Sequence, residues 1–353
     1  MPSKEWSMST LRVVQWGLGA MGSGMARLVA GKEGLQLVGG IDTRPEYVGR
    51  PLDEVLGLDT DLGATVTDDP SSVLNKDDVD CVIIATTSWV KEQIDDLRTI
   101  LSAGINCVSI AEEMASPEAQ SPEAARELDD LAKANGVSII GTGVNPGLSM
   151  DTLVVALTAG CLEVTSIEAT RVNDLSPYGP TVMRTQGVGL SEEEFLAGVE
   201  DGSVDGHIGF PESARMISDA LGLGIDRIEQ KREPIVSTVR RETPHITIEP
   251  GMVAGCKQTL LGYRGDEVVL TLVHPQQVLP ELEGQGTGDY VTIHGTPEVS
   301  MQINPEYAGG KATQAIAVNV VPRIVEATPG LKNMLDIPMT GALVGPSAYR
   351  RRV

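Results

Sequence analysis

Residues 13–42 constrain this chain more than any other stretch. An apolar run, Val13-Val14-Gln15-Trp16, leads into Gly17-Leu18-Gly19-Ala20-Met21-Gly22, a G-x-G-x-x-G motif. A helical pattern follows, then a second apolar run from Leu35 to Ile41, closed by Asp42. In that setting each glycine has a mechanical reason. Gly17 makes the tight turn, Gly19 lets the backbone approach a pyrophosphate, and Gly22 lets the helix pack on the strand. The helix N-terminus offers free N–H groups and the positive end of its dipole to the phosphates. Asp42, twenty positions after Gly22, is placed to accept hydrogen bonds from a ribose diol. Thr43 and Arg44 come next, and Arg44 can pair with a 2′-phosphate. The stretch predicts a βαβ unit that takes both NAD and NADP.

Strands and helices alternate to about residue 145. Thr65-Val66-Thr67 is a short strand candidate, and Asp80 to Ala85 is a near-continuous apolar run, as expected of a strand covered on both faces. Val90 to Ala103 has helical spacing, and Asn106 to Ile110 reads as the next strand. Pro122 to Asn135 reads as a helix with Ser121 as N-cap and Gly136 beyond its end. Val137 to Ile140 is another strand, followed by the loop Gly141 to Gly147. The fold class is therefore α/β, a Rossmann doubly wound parallel sheet over residues 1–147. Beyond it strand patterns dominate: Glu163 to Asn173, Ile246 to Ile248, Met252 to Tyr263, Glu267 to Val273, Tyr290 to His294 and Val299 to Ile303. With one short helix at Met150 to Ala159 and few crossovers, residues 148–308 predict a second α+β domain for substrate and dimerisation, on a mixed or antiparallel sheet. Residues 309–353 hold a helical pattern at Lys311 to Ala327, read as returning to the first domain, and a solvated basic tail, Tyr349 to Arg352.

Composition narrows the function classes. The chain is 41% apolar but only 3% aromatic, so aliphatic side chains and Met fill its cores. A net charge of −22 repels phosphate backbones, which argues against nucleic acid and anionic membranes as partners. The four cysteines form no C-x-x-C and read as reduced core thiols. The four histidines include no H-E-x-x-H and no close pair, so no metal site is expected. The first ten residues lack an apolar core, and no apolar run is long enough to span a bilayer. The expectation is a cytoplasmic protein. Its strand-rich second domain is expected to leave an apolar sheet face that a homodimer covers.

In open parallel sheets ligands lie beyond the carboxyl ends of the strands. Three such ends carry polar groups. Ala85-Thr86-Thr87-Ser88 supplies hydroxyl and backbone groups for the cofactor. Gly141 to Asn145 supplies the Asn145 amide, for the carboxamide or the substrate. Ala111-Glu112-Glu113-Met114 decides the chemistry. A carboxylate beside the hydride path suits a cationic substrate such as an amine, which it can hold and deprotonate before activating water. The competing assignment is an acid pair that only serves a helix N-terminus. Sequence does not choose between Glu112 and Glu113. In the second domain Arg171, Asn173, Asp174, Ser176, Tyr178, Arg184 and Gln186 form a dense polar stretch. Arg171 or Arg184 can hold a substrate carboxylate bidentately, a surface ion pair being the structural alternative. His207, in the tight loop Gly206 to Glu212, is a further substrate-side candidate.

Gly17 to Asp42, Ala111-Glu112-Glu113-Met114, Val144-Asn145-Pro146-Gly147 and Gly206-His207-Ile208-Gly209-Phe210-Pro211-Glu212 together resemble the 2,4-diaminopentanoate dehydrogenase family. That family and its amine-dehydrogenase relatives have an N-terminal domain similar to dihydrodipicolinate reductase. The resemblance implies reversible, NAD(P)-dependent oxidative deamination of 2,4-diaminopentanoate to 2-amino-4-oxopentanoate and ammonia, in ornithine fermentation. It also implies that a Glu of the Glu112-Glu113 pair is the amine-binding acid. Dihydrodipicolinate reductases carry a His-His pair followed by Lys, which is missing here. Sugar dehydrogenases of similar layout carry Glu-Lys-Pro where Glu113 and Met114 stand, so the Lys for alcohol oxidation is missing too. Two other readings compete: a broad amine dehydrogenase for simple amines, and a redox sensor that binds the dinucleotide without turnover.

Overall fold

The computed structural model describes residues 10–345, so the basic tail Tyr349 to Arg352 and the start of the chain lie outside the described residues. In chain order the first half holds β1 (Leu11–Trp16), α1 (Ala20–Ala30), β2 (Leu35–Ile41), α2 (Leu52–Leu56), β3 (Val66–Thr67), β4 (Cys81–Ile84), α3 (Val90–Ser102), β5 (Asn106–Ser109), α4 (Pro122–Asn135) and β6 (Ser138–Gly141). Next come α5 (Thr152–Thr158), β7 (Glu163–Asp174), α6 (Pro180–Thr185), α7 (Glu192–Asp201), α8 (Phe210–Leu221), β8 (Arg227–Val236), β9 (Arg241–Glu242) and β10 (Thr247–Ile248). The chain closes with β11 (Val253–Arg264), β12 (Glu267–Gln277), β13 (Gly288–Thr296), β14 (Val299–Ile303), α9 (Gly309–Glu326) and β15 (Gly330–Lys332). It divides into two compact units: the described residues up to Gly147 with those from Gly310 onward, and Leu148–Gly309.

The first unit is a seven-stranded sheet in the order β15-β6-β5-β4-β1-β2-β3, and its paired strands run parallel. Every residue of β4 is buried, which is why that segment shows no alternation. α3 buries Val90, Gln93, Leu97, Ile100 and Leu101, the three- and four-residue spacing of one helical face. α4 has the expected bounds. Pro122 occupies its first turn, and Gly136 ends it at φ +70°, a conformation that Cβ-bearing residues adopt at a cost. Ser121 precedes it without a side-chain capping bond. The core between sheet and helices joins Val14, Val82, Ile84, Leu97, Ile100, Leu128 and Ile139. Each such aliphatic side chain contributes about 1.5–3 kcal/mol by leaving water.

The second unit is a six-stranded sheet in the order β14-β13-β7-β12-β11-β8. β12 pairs with β7 in parallel, and the other neighbours are antiparallel, so the sheet is mixed as expected. One face carries Ile167, Ala169, Leu260, Leu270, Leu272, Val291 and Ile293 against Phe210, Ala214 and Ile217 of α8 and Val154 of α5. The other face differs from expectation. It presents Glu168, Thr170, Thr259, Leu261, Thr271, Val273 and Thr292, mostly threonine, with each position half-buried or exposed. The apolar outer face is therefore not found, and with it goes the sequence-level reason for a homodimer. The second unit also holds α6, α7 and α8 where the sequence pattern predicts one short helix, and that pattern shows neither α2 nor β9; two further elements, β8 and β15, escape it for physical reasons. β8 is an edge strand rich in charge, which blunts its free side and hides its periodicity. β15 is three residues long and gains its place only by pairing with β6.

The cysteines are free thiols, with Cys81, Cys107 and Cys256 buried. Burial pushes the Cys81 and Cys107 thiols well up and the Cys256 thiol up to about 12. Among the described residues no helix is long and apolar enough to cross a membrane.

The end of β6 touches the acid-bearing turn directly. A Cβ on Gly141 would overlap the Met114 carbonyl and the Ala115 nitrogen, both main-chain atoms that cannot swing away. Gly141→Ala is therefore expected to cost about 1–3 kcal/mol, as overpacking does. Urea denaturation checks it; unchanged stability would exclude the contact.

Candidate active site

In the first unit the glycine motif joins β1 to α1. Gly17 sits at φ +85°, and a Cβ there would lie 2.5 Å from the Ala85 carbonyl oxygen. A Cβ on Gly22 would overlap the Gly17 carbonyl, so the helix lies against the turn with no room for a side chain. Gly19 is different: nothing stands within 4 Å of where its Cβ would be. Gly19 and Ala20 are exposed, Met21 is half-buried, and α1 begins without a side-chain cap or an acid in its first turn. The opening N–H groups of α1 therefore face a space that suits a pyrophosphate.

Asp42 lies beside that space. Leu18 N donates to its Oδ2 at 2.7 Å, and Arg44 donates from N and Nε to Oδ1 at 2.9 Å and from Nη2 to Oδ2 at 2.7 Å. Burial alone would raise the carboxyl, but the Arg44 and Leu18 hydrogen bonds outweigh it and hold Asp42 down at about 2. The Arg44 guanidinium also lies 4.0 Å over the Tyr47 ring, and Thr43, between Asp42 and Arg44 in the chain, is exposed.

The two acids of the β5 end have separate surroundings. Glu113 is 7% exposed, and its Oε2 accepts the Val90 N–H at 2.7 Å. Val90 is the first residue of α3, whose N-cap, Trp89, supplies no side-chain capping bond, so Glu113 does that work. Glu112 is half-buried, and burial raises its carboxyl above the ordinary range. The Glu113 charge adds to the rise, while a hydrogen bond with the Ser88 side chain and one with its own backbone oppose it. Thr87 is hydrogen-bonded to Glu92, and its Oγ1 accepts from Trp89 N at 3.3 Å, so it shapes the start of α3. Thr86 is exposed, and its Oγ1 accepts from Gln93 at 3.1 Å. Asn145 is half-buried in the loop after β6, next to Val144, whose N–H donates to Thr313 Oγ1 of α9 at 3.1 Å.

In the second unit the candidates fall into two groups. Arg171 is 2% exposed, ion-paired with Asp289 of β13, and donates from Nη2 to the Tyr307 carbonyl at 2.5 Å. It is a buried ion pair, so the surface-pair alternative does not describe it. Tyr178 stands near it, since a Cβ on Gly309 would meet the Tyr178 hydroxyl and lie 3.8 Å from Arg171 Nη2. Asn173 is 4% exposed on the same face of β7, and its Oδ1 is buried without a hydrogen-bond partner. Arg184 is exposed in the last turn of α6, outside this buried group.

His207 joins the buried group through a residue that sequence reading passed over. Its ring lies 4.9 Å from that of His274 on β12 and 4.9 Å from Phe210. The two histidines, far apart in the chain, form the close pair that local spacing did not reveal. His274 Nδ1 lies 2.6 Å from the Arg171 carbonyl, which can only accept, so Nδ1 carries the proton. Gln276 Nε2 then donates to His274 Nε2 at 2.9 Å, which holds the ring neutral. Burial pushes His207 down to about 3 and His274 well below its ordinary value, with Arg171 adding to both. Among the described residues no three His, Cys, Asp or Glu side chains gather as a metal site.

Comparison with known proteins now bears on these two units. Residues 148–352 match the C-terminal domain of 2,4-diaminopentanoate dehydrogenase, and residues 11–109 match the N-terminus of dihydrodipicolinate reductase. A 2,4-diaminopentanoate dehydrogenase of Acetoanaerobium sticklandii is 44% identical over 340 residues, 96% of each chain. An amine dehydrogenase of Streptomyces virginiae is 26% identical, covering 94% of this chain and 98% of the other. The structure of an amine dehydrogenase from Mycobacterium smegmatis superposes with a TM-score of 0.84 at 27% identity, covering 96% of this chain and 98% of that one.

The two buried imidazoles make stability depend on pH. A histidine held neutral in the fold but free to protonate when unfolded means the unfolded chain binds more protons below pH 6.5. Stability is therefore complete above pH 6.5 and falls as the pH drops toward about 3 for His207. His207→Asn is expected to flatten that slope by up to ~1 kcal/mol per pH unit. Urea midpoints measured across this window check it; parallel slopes for variant and wild type would refute it.

Proposed function

The chain belongs to the 2,4-diaminopentanoate dehydrogenase family, and from that premise we propose that Glu112 is the acid–base group of its deamination reaction. The enzyme is an oxidoreductase acting on a CH–NH2 group, taking 2,4-diaminopentanoate to 2-amino-4-oxopentanoate and ammonia. One observation carries the assignment: Glu113 is already committed to the Val90 N–H, whereas Glu112 is half-buried with a raised carboxyl. Hydride cannot leave carbon while the nitrogen is an ammonium, because the nitrogen then has no lone pair for the C=N bond. Glu112 as carboxylate attracts the cation and takes one proton from it. Loss of hydride from the carbon then leaves an iminium. Once that first proton has passed to solvent, Glu112 is again a carboxylate; it takes a proton from the water that attacks the carbon and returns it to the departing nitrogen. The carbinolamine collapses to ketone and ammonia. Burial raises the Glu112 carboxyl above its ordinary value, which makes it a better proton acceptor than an exposed carboxylate.

The first unit fits a nicotinamide dinucleotide. Gly17, Leu18, Gly19, Ala20, Met21 and Gly22 would hold the pyrophosphate, with Asp42, Thr43 and Arg44 at the adenosine ribose and Ala85, Thr86, Thr87 and Asn145 toward the nicotinamide. When bound, the nicotinamide supplies the hydride acceptor. Asp42 can accept a ribose 2′-OH, and Arg44, already at its side, can turn to a 2′-phosphate. Use of both NAD and NADP follows. On the substrate side, Arg171 is the proposed holder of the carboxylate, with Asn173, Tyr178 and His207; to do so it must exchange its bond to Asp289 or to the Tyr307 carbonyl for the substrate. Arg184 is the weaker candidate, because an exposed guanidinium loses most of its pull to water.

Two outcomes test this reading. Glu112→Gln should lower kcat by about 10²–10⁴-fold with NADH binding intact, while Glu113→Gln should keep most of kcat and instead lower Tm slightly, because the amide oxygen can still accept the Val90 N–H but the negative charge at the α3 N-terminus is lost. Equal, mild effects from both would defeat the assignment. For the cofactor, kcat/KM with NAD should be at least equal to that with NADP; a preference for NADP beyond about tenfold, roughly 1.4 kcal/mol, would count against it.

A further inference from the structure

The buried face of α3 is apolar at Val90, Leu97, Ile100 and Leu101 but polar at Gln93, which is fully buried. A helix needs no amide there to pack, and burying one without partners would cost free energy. Gln93 has a partner at each end. Ser109 Oγ donates to its Oε1 at 2.6 Å, and its Nε2 donates to Thr86 Oγ1 at 3.1 Å. Ser109, also fully buried, accepts the Ala111 N–H at 3.1 Å. As placed, the Ser109 hydroxyl accepts the Ala111 N–H with its oxygen and donates its hydrogen to Gln93 Oε1. That leaves Gln93 Nε2 to donate to Thr86, and the Thr86 hydroxyl hydrogen free to point outward from an exposed residue. The relay runs from Ala111, the residue before Glu112, to Thr86, whose Cγ2 would be 3.3 Å from a Cβ on Gly17. It thus links the acid-bearing turn to the dinucleotide turn within one unit.

We propose that Gln93 is a positioning residue: through Ser109 and Thr86 it holds Glu112 and an outward-pointing hydroxyl donor in fixed register, and that donor meets an acceptor oxygen of the bound dinucleotide. The proposal rests on the reading of Glu112 as the acid. It gives a reason for a buried amide that packing alone does not require, and it accounts for both hydrogen-bonding ends of the side chain.

The test is a double-variant cycle on the full-length protein with Gln93→Met, which keeps the volume and removes both hydrogen bonds, and Glu112→Gln. NADH affinity by fluorescence, kcat across pH, and thermal melts are read for each variant. Gln93→Met is expected to stay folded, to bind NADH more weakly, and to lose about ten- to a hundredfold in kcat, the scale of a misplaced reacting group. The pH limb due to Glu112 should move down toward the ordinary carboxylate range as the turn loosens and water reaches it, Glu113 being the titratable neighbour that stays in place. In the Glu112→Gln background the same change should cost little further kcat, because its main route of action is gone. Ser109→Ala cuts the relay with a smaller volume change, and carries the test should Gln93→Met not fold. Unchanged kcat and pH limb, or a full additional loss in the Glu112→Gln background, would overturn the proposal. Failure of the Glu112 reading shows separately, as an active Glu112→Gln single variant.

Discussion

The contact between α1 and the β1 turn sets the terms for the first unit. At Gly22 the helix touches the Gly17 carbonyl, and at Gly17 the turn touches the Ala85 carbonyl, so neither position admits a side chain. That double approach brings the opening N–H groups of α1 to the carboxyl edge of the sheet. Leu18, held between the two glycines, gives its N–H to Asp42, which joins the end of β2 to the same turn. The β4 end is drawn in at Ala85 and Thr86. A few ångströms of added side chain at either glycine would separate these groups, whatever the quality of the surrounding core.

Charge is handled differently at each buried acid. Asp42 is surrounded by donors and is held ionised. Glu113 is spent on a helix N-terminus. Glu112 has a hydroxyl and its own backbone against burial and a neighbouring negative charge, and is shifted the other way. Asp42 and Glu112 are thus carboxyls shifted in opposite directions by their surroundings. Adjacent residues reach such different surroundings because the short turn after β5 aims successive side chains in different directions.

The second unit shows the same economy with cations. Arg171 is buried yet balanced by Asp289, since an isolated charge there would cost several kcal/mol. Burial, with that positive charge adding to it, keeps His207 and His274 neutral, and the Arg171 carbonyl and Gln276 fix the His274 tautomer. The sheet provides the alignment: Arg171 and Asn173 are two residues apart on β7, and His274 and Gln276 two apart on β12, so all four share one face.

Much was legible in the residue order because it is local. The glycine spacing, the apolar runs, Pro122 and Gly136 around α4, and Asp42 after β2 each act within a few positions of themselves, through sterics and capping. They specify the parallel sheet, the nucleotide turn and the presence of an acid pair at the end of β5. What remained open depends on partners far along the chain. The distinction between Glu112 and Glu113 waits on Val90, the state of Arg171 on Asp289, the pairing of His207 on His274, and the role of Gln93 on Ser109 and Thr86. Even β8 and β15 are strands only because β11 and β6 lie beside them. Register and helix packing bring such residues together, and no short-range periodicity encodes which distant side chain arrives. The sequence by itself determined the framework and the kind of chemistry; the tertiary structure decided how each candidate side chain is buried and hydrogen-bonded, because burial and hydrogen-bond occupancy are properties of the assembled chain.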